Sequence, residues 1–311
     1  MMIHHLLSLT GKLFGKGKLS ILQYHQVLSQ PDPLMRGLIT ADNFEWHMKL
    51  ISRYFTPLSL SSAIDLLQKN ALPANAICVT FDDGYQNNLS VALPILEKYN
   101  IPATIFIATG FSEGNTMWND KVYHLFRDAS RASLLLNGQD VELGDYDQRR
   151  QLLKELIEQL KYLPIETRNS ELKKIYDENQ IEPQKDLMLS PEEIAALAAK
   201  GIEIGAHTVN HPILAVLDED QQFEEIAQCK RQLESWAGKP VLHFAYPNGI
   251  PDQDFTETTV NIVRNLGFKS AVATRKGVST RESCIFKLHR FTPWDKTPLR
   301  FHLRLVQNQA Y

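Results

Sequence analysis

The chain alternates short apolar runs with amphipathic stretches, and each short run ends in a cluster of polar residues. Seven runs read as strands: Leu19–Val27, Ala76–Phe81, Ala103–Ala108, Ile202–Ala206, Val241–Tyr246, Ser270–Thr274 and Cys284–His289. Between them, helical periodicity predicts Ala41–Tyr54, Leu60–Lys69, Leu89–Tyr99, Pro191–Lys200, Glu219–Trp236 and Asp254–Leu266. Strand followed by helix, repeated, predicts an α/β protein whose parallel sheet carries its helices outside. A length of 311 residues suits either two domains or one α/β barrel. The alternation breaks once, over about 112–189, where Gln148–Tyr162 and Glu171–Glu178 are charged and helix-forming, which reads as a helical insertion. No repeat or Gly/Ser linker demands a second folded unit, so 19–311 is expected to be one body preceded by the segment 1–18.

Composition excludes several functions. Hydrophobic residues at 43% and charged residues at 22% rule out disorder over most of the length. Lys and Arg number 33 against 36 Asp and Glu, a net charge of −3, so nothing draws the chain to a nucleic-acid backbone and no nucleic-acid partner is expected. Cys78, Cys229 and Cys284 are odd in number, far apart and in no Cys-x-x-Cys pair, and are expected as buried free thiols. No apolar run approaches the ~18 residues of a membrane span, and the first eighteen residues lack a clear signal-peptide pattern, which suggests a cytoplasmic protein. Ile3–Leu9 followed by Lys12, Lys16 and Lys18 reads as a basic amphipathic element suited to peripheral membrane contact through residues 1–18.

The polar clusters are Tyr24-His25, Asp82-Asp83-Gly84, Thr109-Gly110, His207 to His211, Tyr246-Pro247-Asn248-Gly249 and His289-Arg290. In a parallel barrel these strand ends share one rim, where histidines and paired carboxylates are the donors a divalent metal takes. His207 and His211 are four apart, so a helical turn over Thr208–His211 would set both imidazoles on one face. Alone, His-x-x-x-His also suits local capping, and Asp-Asp-Gly suits a turn. Together they favour a metal hydrolase, in which one adjacent aspartate binds metal and the other moves protons.

At these residues the chain resembles the polysaccharide deacetylase family, the fourth carbohydrate-esterase family, from about Leu19 to Arg290. The family's Thr-Phe-Asp-Asp-Gly element stands as Thr80 to Gly84, and its His-Ser/Thr-x-x-His element as His207 to His211. The resemblance implies a distorted parallel (β/α) barrel and a zinc-like divalent ion held by Asp83, His207 and His211. It further implies Asp82 as general base and a carbohydrate or glycolipid substrate bearing an N-acetylated sugar. Where many members read Arg-x-Pro-Tyr-Gly, this chain has Ala245-Tyr246-Pro247-Asn248-Gly249, so the arginine that orients the base is absent. Arg290 is the chemical candidate to replace it, because a guanidinium grips a carboxylate bidentately. Asn248 stands where a tyrosine backbone N–H would serve the oxyanion. The family's Leu-x-Leu-His element appears as Phe286-Lys287-Leu288-His289, implying His289 as general acid, with His25 as the other histidine near the rim. Trp118, at the start of the insertion, is either a sugar-stacking face or packing.

Three other functions compete. They are an amidohydrolase or deacylase of small non-sugar amides, a metal-containing glycan-binding protein with little catalysis, suggested by Ala245, and a glycosidase. The last needs carboxylates ~5–10 Å apart across a sugar, which adjacent Asp82 and Asp83 suit poorly.

Overall fold

The structure, a computed structural model, describes residues 2–310. Seven strands stand side by side in chain order: β1 (Leu19–Tyr24), β2 (Ala76–Phe81), β3 (Ala103–Ile107), β4 (Glu203–Ala206), β5 (His243–Ala245), β6 (Ser270–Ala273) and β7 (Leu288–His289). All six pairings along this path are parallel. The ring closes between its ends because the Gln23 N–H donates to the Phe291 carbonyl at 3.0 Å and the Phe291 N–H donates to the Ile21 carbonyl at 3.2 Å. The fold is thus a nearly closed seven-stranded (β/α) barrel, as the alternating sequence and the family motifs imply.

The helices follow as α1 (Met2–Phe14), α2 (Ala41–Tyr54), α3 (Leu60–Gln68), α4 (Leu93–Lys98), α5 (Trp118–Arg127), α6 (Tyr146–Leu160), α7 (Ile165–Asn179), α8 (Pro191–Ala199), α9 (Glu219–Ala237), α10 (Glu257–Asn265) and α11 (Pro298–Ala310). The start of α8 follows directly from its sequence: Ser190 and Glu193 form a reciprocal capping box around Pro191. The helix expected over Leu89–Tyr99 opens instead as a π-turn at Asn88–Ala92, consistent with Pro94 having no N–H to donate to the preceding turn.

Side-chain alternation along the strands divides the core in two. Outward residues such as Phe81, Ile105, Ile204 and Phe244 pack in one apolar cluster with Phe44 of α2 and Ile226 of α9. Leu19, Ile21, Cys78, Phe106, Ala245, Val272 and Leu288 form another, plugged from one end by Leu60 and Ile64 of α3. Gly205 is required there, since a Cβ at that position would lie 2.3 Å from the Phe106 ring. Two residues further along the same inward rows, polar groups replace apolar ones, and the site begins.

The expected insertion is real and has its own core. Helices α5, α6 and α7 and the hairpin Ser133–Leu136/Gln139–Glu142 bury Trp118, Phe126, Leu134, Leu156, Leu172 and Tyr176 together. The amino-terminal segment is a helix seated on α11, not a free arm: His4 stacks on His302, and a Cβ on Gly11 would lie 2.8 Å from Asn75 and 3.1 Å from Gln309. Cys78 and Cys229 are buried free thiols as expected; Cys284 is free but exposed, because only Leu288–His289 of the run Cys284–His289 is strand and the rest turns at the surface. Among the described residues no helix is long and apolar enough to cross a membrane.

Candidate active site

The Asp82 N–H donates to the Tyr24 carbonyl at 2.9 Å, which continues the β1–β2 ladder one residue past β2. The Asp82 side chain therefore keeps inward parity and is buried at 2% exposure. There it receives two parallel hydrogen bonds from Arg290, Nη1 to Oδ1 at 2.6 Å and Nη2 to Oδ2 at 2.8 Å. Gln23 Nε2 adds a third bond at 2.8 Å. Arg290 is itself 1% exposed and lies over the Phe106 ring, so the fork is fixed in place. The arginine absent at Ala245 is thus supplied from a different strand end. Burial by itself pushes the Asp82 carboxyl up, and the Arg290 guanidinium together with His207 and His25 outweighs it, leaving the group below the ordinary carboxylate range.

Asp83 leaves in another direction because its backbone is left-handed, with φ of 75°. Gly84 follows at 87°, and a Cβ there would press on Ile107 at 2.9 Å. His207 and His211 reach Asp83 without the expected helical turn. Thr208 and His211 are also left-handed, at 67° and 51°, and the loop is pinned from α9, where Glu225 accepts the Val209 and Asn210 N–H groups at 2.9 and 2.8 Å. Left-handed non-glycine residues cost of order 1–3 kcal/mol each and persist where surroundings over-determine them. Asp83, Thr208, His211 and Asn248 concentrate that strain at one rim.

His207 and His211 each place Nε2 3.5 Å from Asp83 Oδ1. Asp83 Oδ1 is buried and has no hydrogen-bond partner among the described residues. The His207 Nδ1 donates to the Ala245 carbonyl at 2.7 Å, which leaves the lone pair on Nε2 facing the carboxylate. Ligand atoms around a four-coordinate ion with ~2.1 Å bonds stand ~3.4 Å apart; both Asp83–histidine separations match this, and all three donor atoms lie within 4.8 Å of one another, a group able to close around a zinc-sized divalent cation. Without one, burial pushes Asp83 up and the imidazoles facing it bring it well below its usual value. Burial also depresses His211, to about 4, whereas Asp83 holds His207 above its ordinary value despite burial.

These groups open onto a cleft of about 440 Å³ that Asp82, Asp83, His207 and His211 line together with His25 and Asn248. Asn248 has φ of 58°, and its backbone N–H is engaged by no hydrogen bond among the described residues. The insertion supplies the facing wall, including Asp120, whose carboxylate accepts the Tyr85 hydroxyl at 2.8 Å and is raised by burial to about 7.

One expected residue is not brought in. Strand alternation turns Leu288 and Arg290 into the barrel and therefore His289 out of it, where its ring lies against Gly277 and does not line the cleft. The general acid expected there has to be sought elsewhere on the rim. Trp118 packs in the core of the insertion with the Arg168 guanidinium over its ring at 4.6 Å, and it lines a smaller cavity beside the cleft rather than the cleft itself. Gln23 and Asp120 carry no motif; the one available signal for Gln23 was a polar side chain at inward parity within an apolar strand.

A parallel (β/α) barrel with a carboxylate and two histidines poised for a metal, beside a second carboxylate held by arginine, is the architecture of a hydrolase scaffold. The polysaccharide deacetylase family pattern matches residues 69–271, and the chain belongs to that family. YxkH of Bacillus subtilis (strain 168), whose name assigns it to the polysaccharide deacetylases, is 24% identical over 275 residues, 88% of this chain and 70% of its own. Among solved structures, the deacetylase PplD of Streptococcus pyogenes superposes with a TM-score of 0.64 at 20% identity, covering 93% of this chain and 98% of that one. IcaB of Ammonifex degensii gives 0.61 at 21% identity, covering 94% and 98%.

Proposed function

We propose that this protein is a metal-dependent hydrolase that removes N-acetyl groups from an amino-sugar-containing glycan or glycolipid precursor. The observation that carries this reading is Asp83 Oδ1, a buried carboxylate oxygen without a hydrogen bond, faced by two imidazole nitrogens. One carboxylate and two imidazoles suit Zn²⁺ best among the common divalent ions. Such an ion supplies an acidified water and a Lewis acid for the acyl oxygen. Asp82 accepts the proton of the attacking water; Arg290 and Gln23 take one lone pair on Oδ1 and two on Oδ2, which leaves Oδ1 an acceptor site. The free Asn248 N–H donates to the oxyanion as it develops. His25, on the same cleft, protonates the leaving nitrogen, the role the motif had suggested for His289. Acetate and a free amine leave, and PplD, with a similar barrel, was captured with acetate.

Asp82→Asn tests the division of labour. It is expected to keep stoichiometric metal and lose acetate release, whereas full activity in that variant rejects Asp82 as the base. A panel of N-acetylated sugars and simple acetamides, scored by acetate release, separates the glycan enzyme from an amidohydrolase of small molecules. A binding-only protein is disfavoured, because the departure that suggested it, Ala245, is offset by Arg290.

We further propose that α1 rests on an anionic lipid surface. Ile3, Leu6, Leu9 and Leu13 all face solvent, Leu13 at 80% exposure, with Lys12 and Lys16 exposed along one flank. Sedimentation with phosphatidylglycerol vesicles is expected for the wild type and not for a Leu6→Ser/Leu13→Ser double variant; equal sedimentation of the two sinks the assignment.

A further inference from the structure

Three arginines are almost fully buried, at 4% exposure for Arg149, 5% for Arg168 and 1% for Arg290. Two are saturated. Arg149 donates to the carbonyls of Gly144, Phe126, Asp128 and Arg131, and Arg290 grips Asp82. Arg168, on α7 of the insertion, has no carboxylate within ion-pair distance and no side-chain hydrogen bond among the described residues, and its Nε is wholly shielded from solvent. The Trp118 ring lies beneath it, 4.6 Å from the guanidinium carbon. The two Nη atoms are not sealed with Nε and bond to no side chain among the described residues, so they are open to an anion entering the neighbouring cavity.

The place of Arg168 suggests a use. It lines a cavity of about 240 Å³ together with Lys161, and no carboxylate lines that cavity. Asn119, Tyr123, Lys161, His211 and Asn248 are common to this cavity and the catalytic cleft, so the two adjoin and a ligand filling one reaches the other. Burial lowers the guanidinium only to about 10, and it stays charged at neutral pH.

We propose that Arg168 and Lys161 form an anion subsite that binds a phosphate or carboxylate substituent of the glycan and places the neighbouring N-acetyl group at the metal rim. The proposal deepens the deacetylase reading and rests on it for the identity of the substrate. Planar, pre-oriented donors above an aromatic ring match either oxyanion, and the two donor side chains approach from different helical segments of the insertion.

The test is equilibrium binding to the full chain, which needs no turnover, with N-acetylglucosamine, N-acetylglucosamine 6-phosphate and N-acetylmuramic acid as probes. The wild type is expected to bind at least one acidic probe about tenfold or more tighter than the neutral sugar, with the preference eroded by salt. Arg168→Gln should abolish the preference and leave neutral-sugar binding in place, and Arg168→Lys should retain part of it, which guards against misfolding of the first variant. Preference for the 6-phosphate assigns a phosphoryl substituent, and preference for the muramic acid assigns a carboxylate. Equal binding of all three by the wild type, or an acidic preference that survives Arg168→Gln, overturns the subsite. If N-acetylglucosamine oligomers yield no acetate yet the Arg168-dependent preference holds, the catalytic reading fails and the subsite stands.

Discussion

The barrel rim and the helical insertion face each other across one cleft, and they are built by opposite rules. At the rim, the buried charge of Asp82 is answered by Arg290 and Gln23, and strain at Asp83, Thr208 and His211 is held by hydrogen bonds from neighbouring elements. Across from it, the two buried charges of the insertion nearest the cleft are not answered by an opposite charge: Arg168 has no anion, and Asp120 has one neutral hydroxyl, although Arg149 further back is held by four carbonyls. A rim whose base is pre-paired, with Asp83 Oδ1 left open toward His207 and His211 for a metal, suits chemistry that is the same for every substrate. An unpaired wall suits recognition, because the substrate supplies the missing partner.

That contrast is breakable. The largest effect is expected from Asp83→Ala or His207→Ala, which should lose metal and activity together, by about a thousandfold or more, measured as bound metal and acetate release. Arg290→Met should follow closely. It strands the buried Asp82 and destabilises the fold by about 3–5 kcal/mol in denaturant unfolding. Any remaining activity should show its acid limb at higher pH, since burial then acts on Asp82 against only the weaker pull of His207 and His25. His25→Ala should lower kcat by about a hundredfold or more with metal retained, while His289→Ala should leave kcat unchanged; the reverse pattern would return the acid to His289.

Smaller effects should come from the insertion. Asp120 is raised to about 7 in the folded chain, so the folded state holds its proton more tightly and the residue costs stability as pH climbs from the ordinary carboxylate range through 7. Asp120→Asn should therefore raise the melting temperature by a few degrees at pH 8 and by almost nothing near pH 4. A gain of equal size at both pH values would mean that ionisation of Asp120 is not the cause.

The two regions also differ in how far they can be read from sequence. Asp82, Asp83, His207 and His211 are legible because each pair is contiguous or nearly so and ends an apolar run. Arg290 was legible by its chemistry although it lies 208 residues from Asp82 and outside the span that the family pattern matches. His289 shows how narrow the margin is: in a strand, a one-residue step changes the face, so the arginine enters the barrel and its neighbour leaves it. The turn at His207–His211 misled for a related reason, since spacing of four is shared by a helical turn and a left-handed loop.

The insertion resists sequence reading because its determinants are tertiary. Arg168 sits in Thr167-Arg168-Asn169-Ser170-Glu171, which reads as a solvated helix face, and only the packing of α7 on Trp118 of α5 buries it. The short hairpin is not expected from the sequence, and neither is helix α5, although its Trp118, Val122, Leu125 and Phe126 recur at helical spacing; α6 and α7 are expected, with displaced ends.

The central claim is that a metal at Asp83, His207 and His211 drives release of acetate from an N-acetylated sugar. The most direct test is acetate release from N-acetylglucosamine oligomers by the purified protein, before chelation, after it, and after Zn²⁺ is restored, with Asp83→Ala alongside. The account predicts activity that is lost on chelation, returns with zinc, and never appears in Asp83→Ala. Acetate release that is undiminished in metal-free protein, or equal in Asp83→Ala, would contradict it.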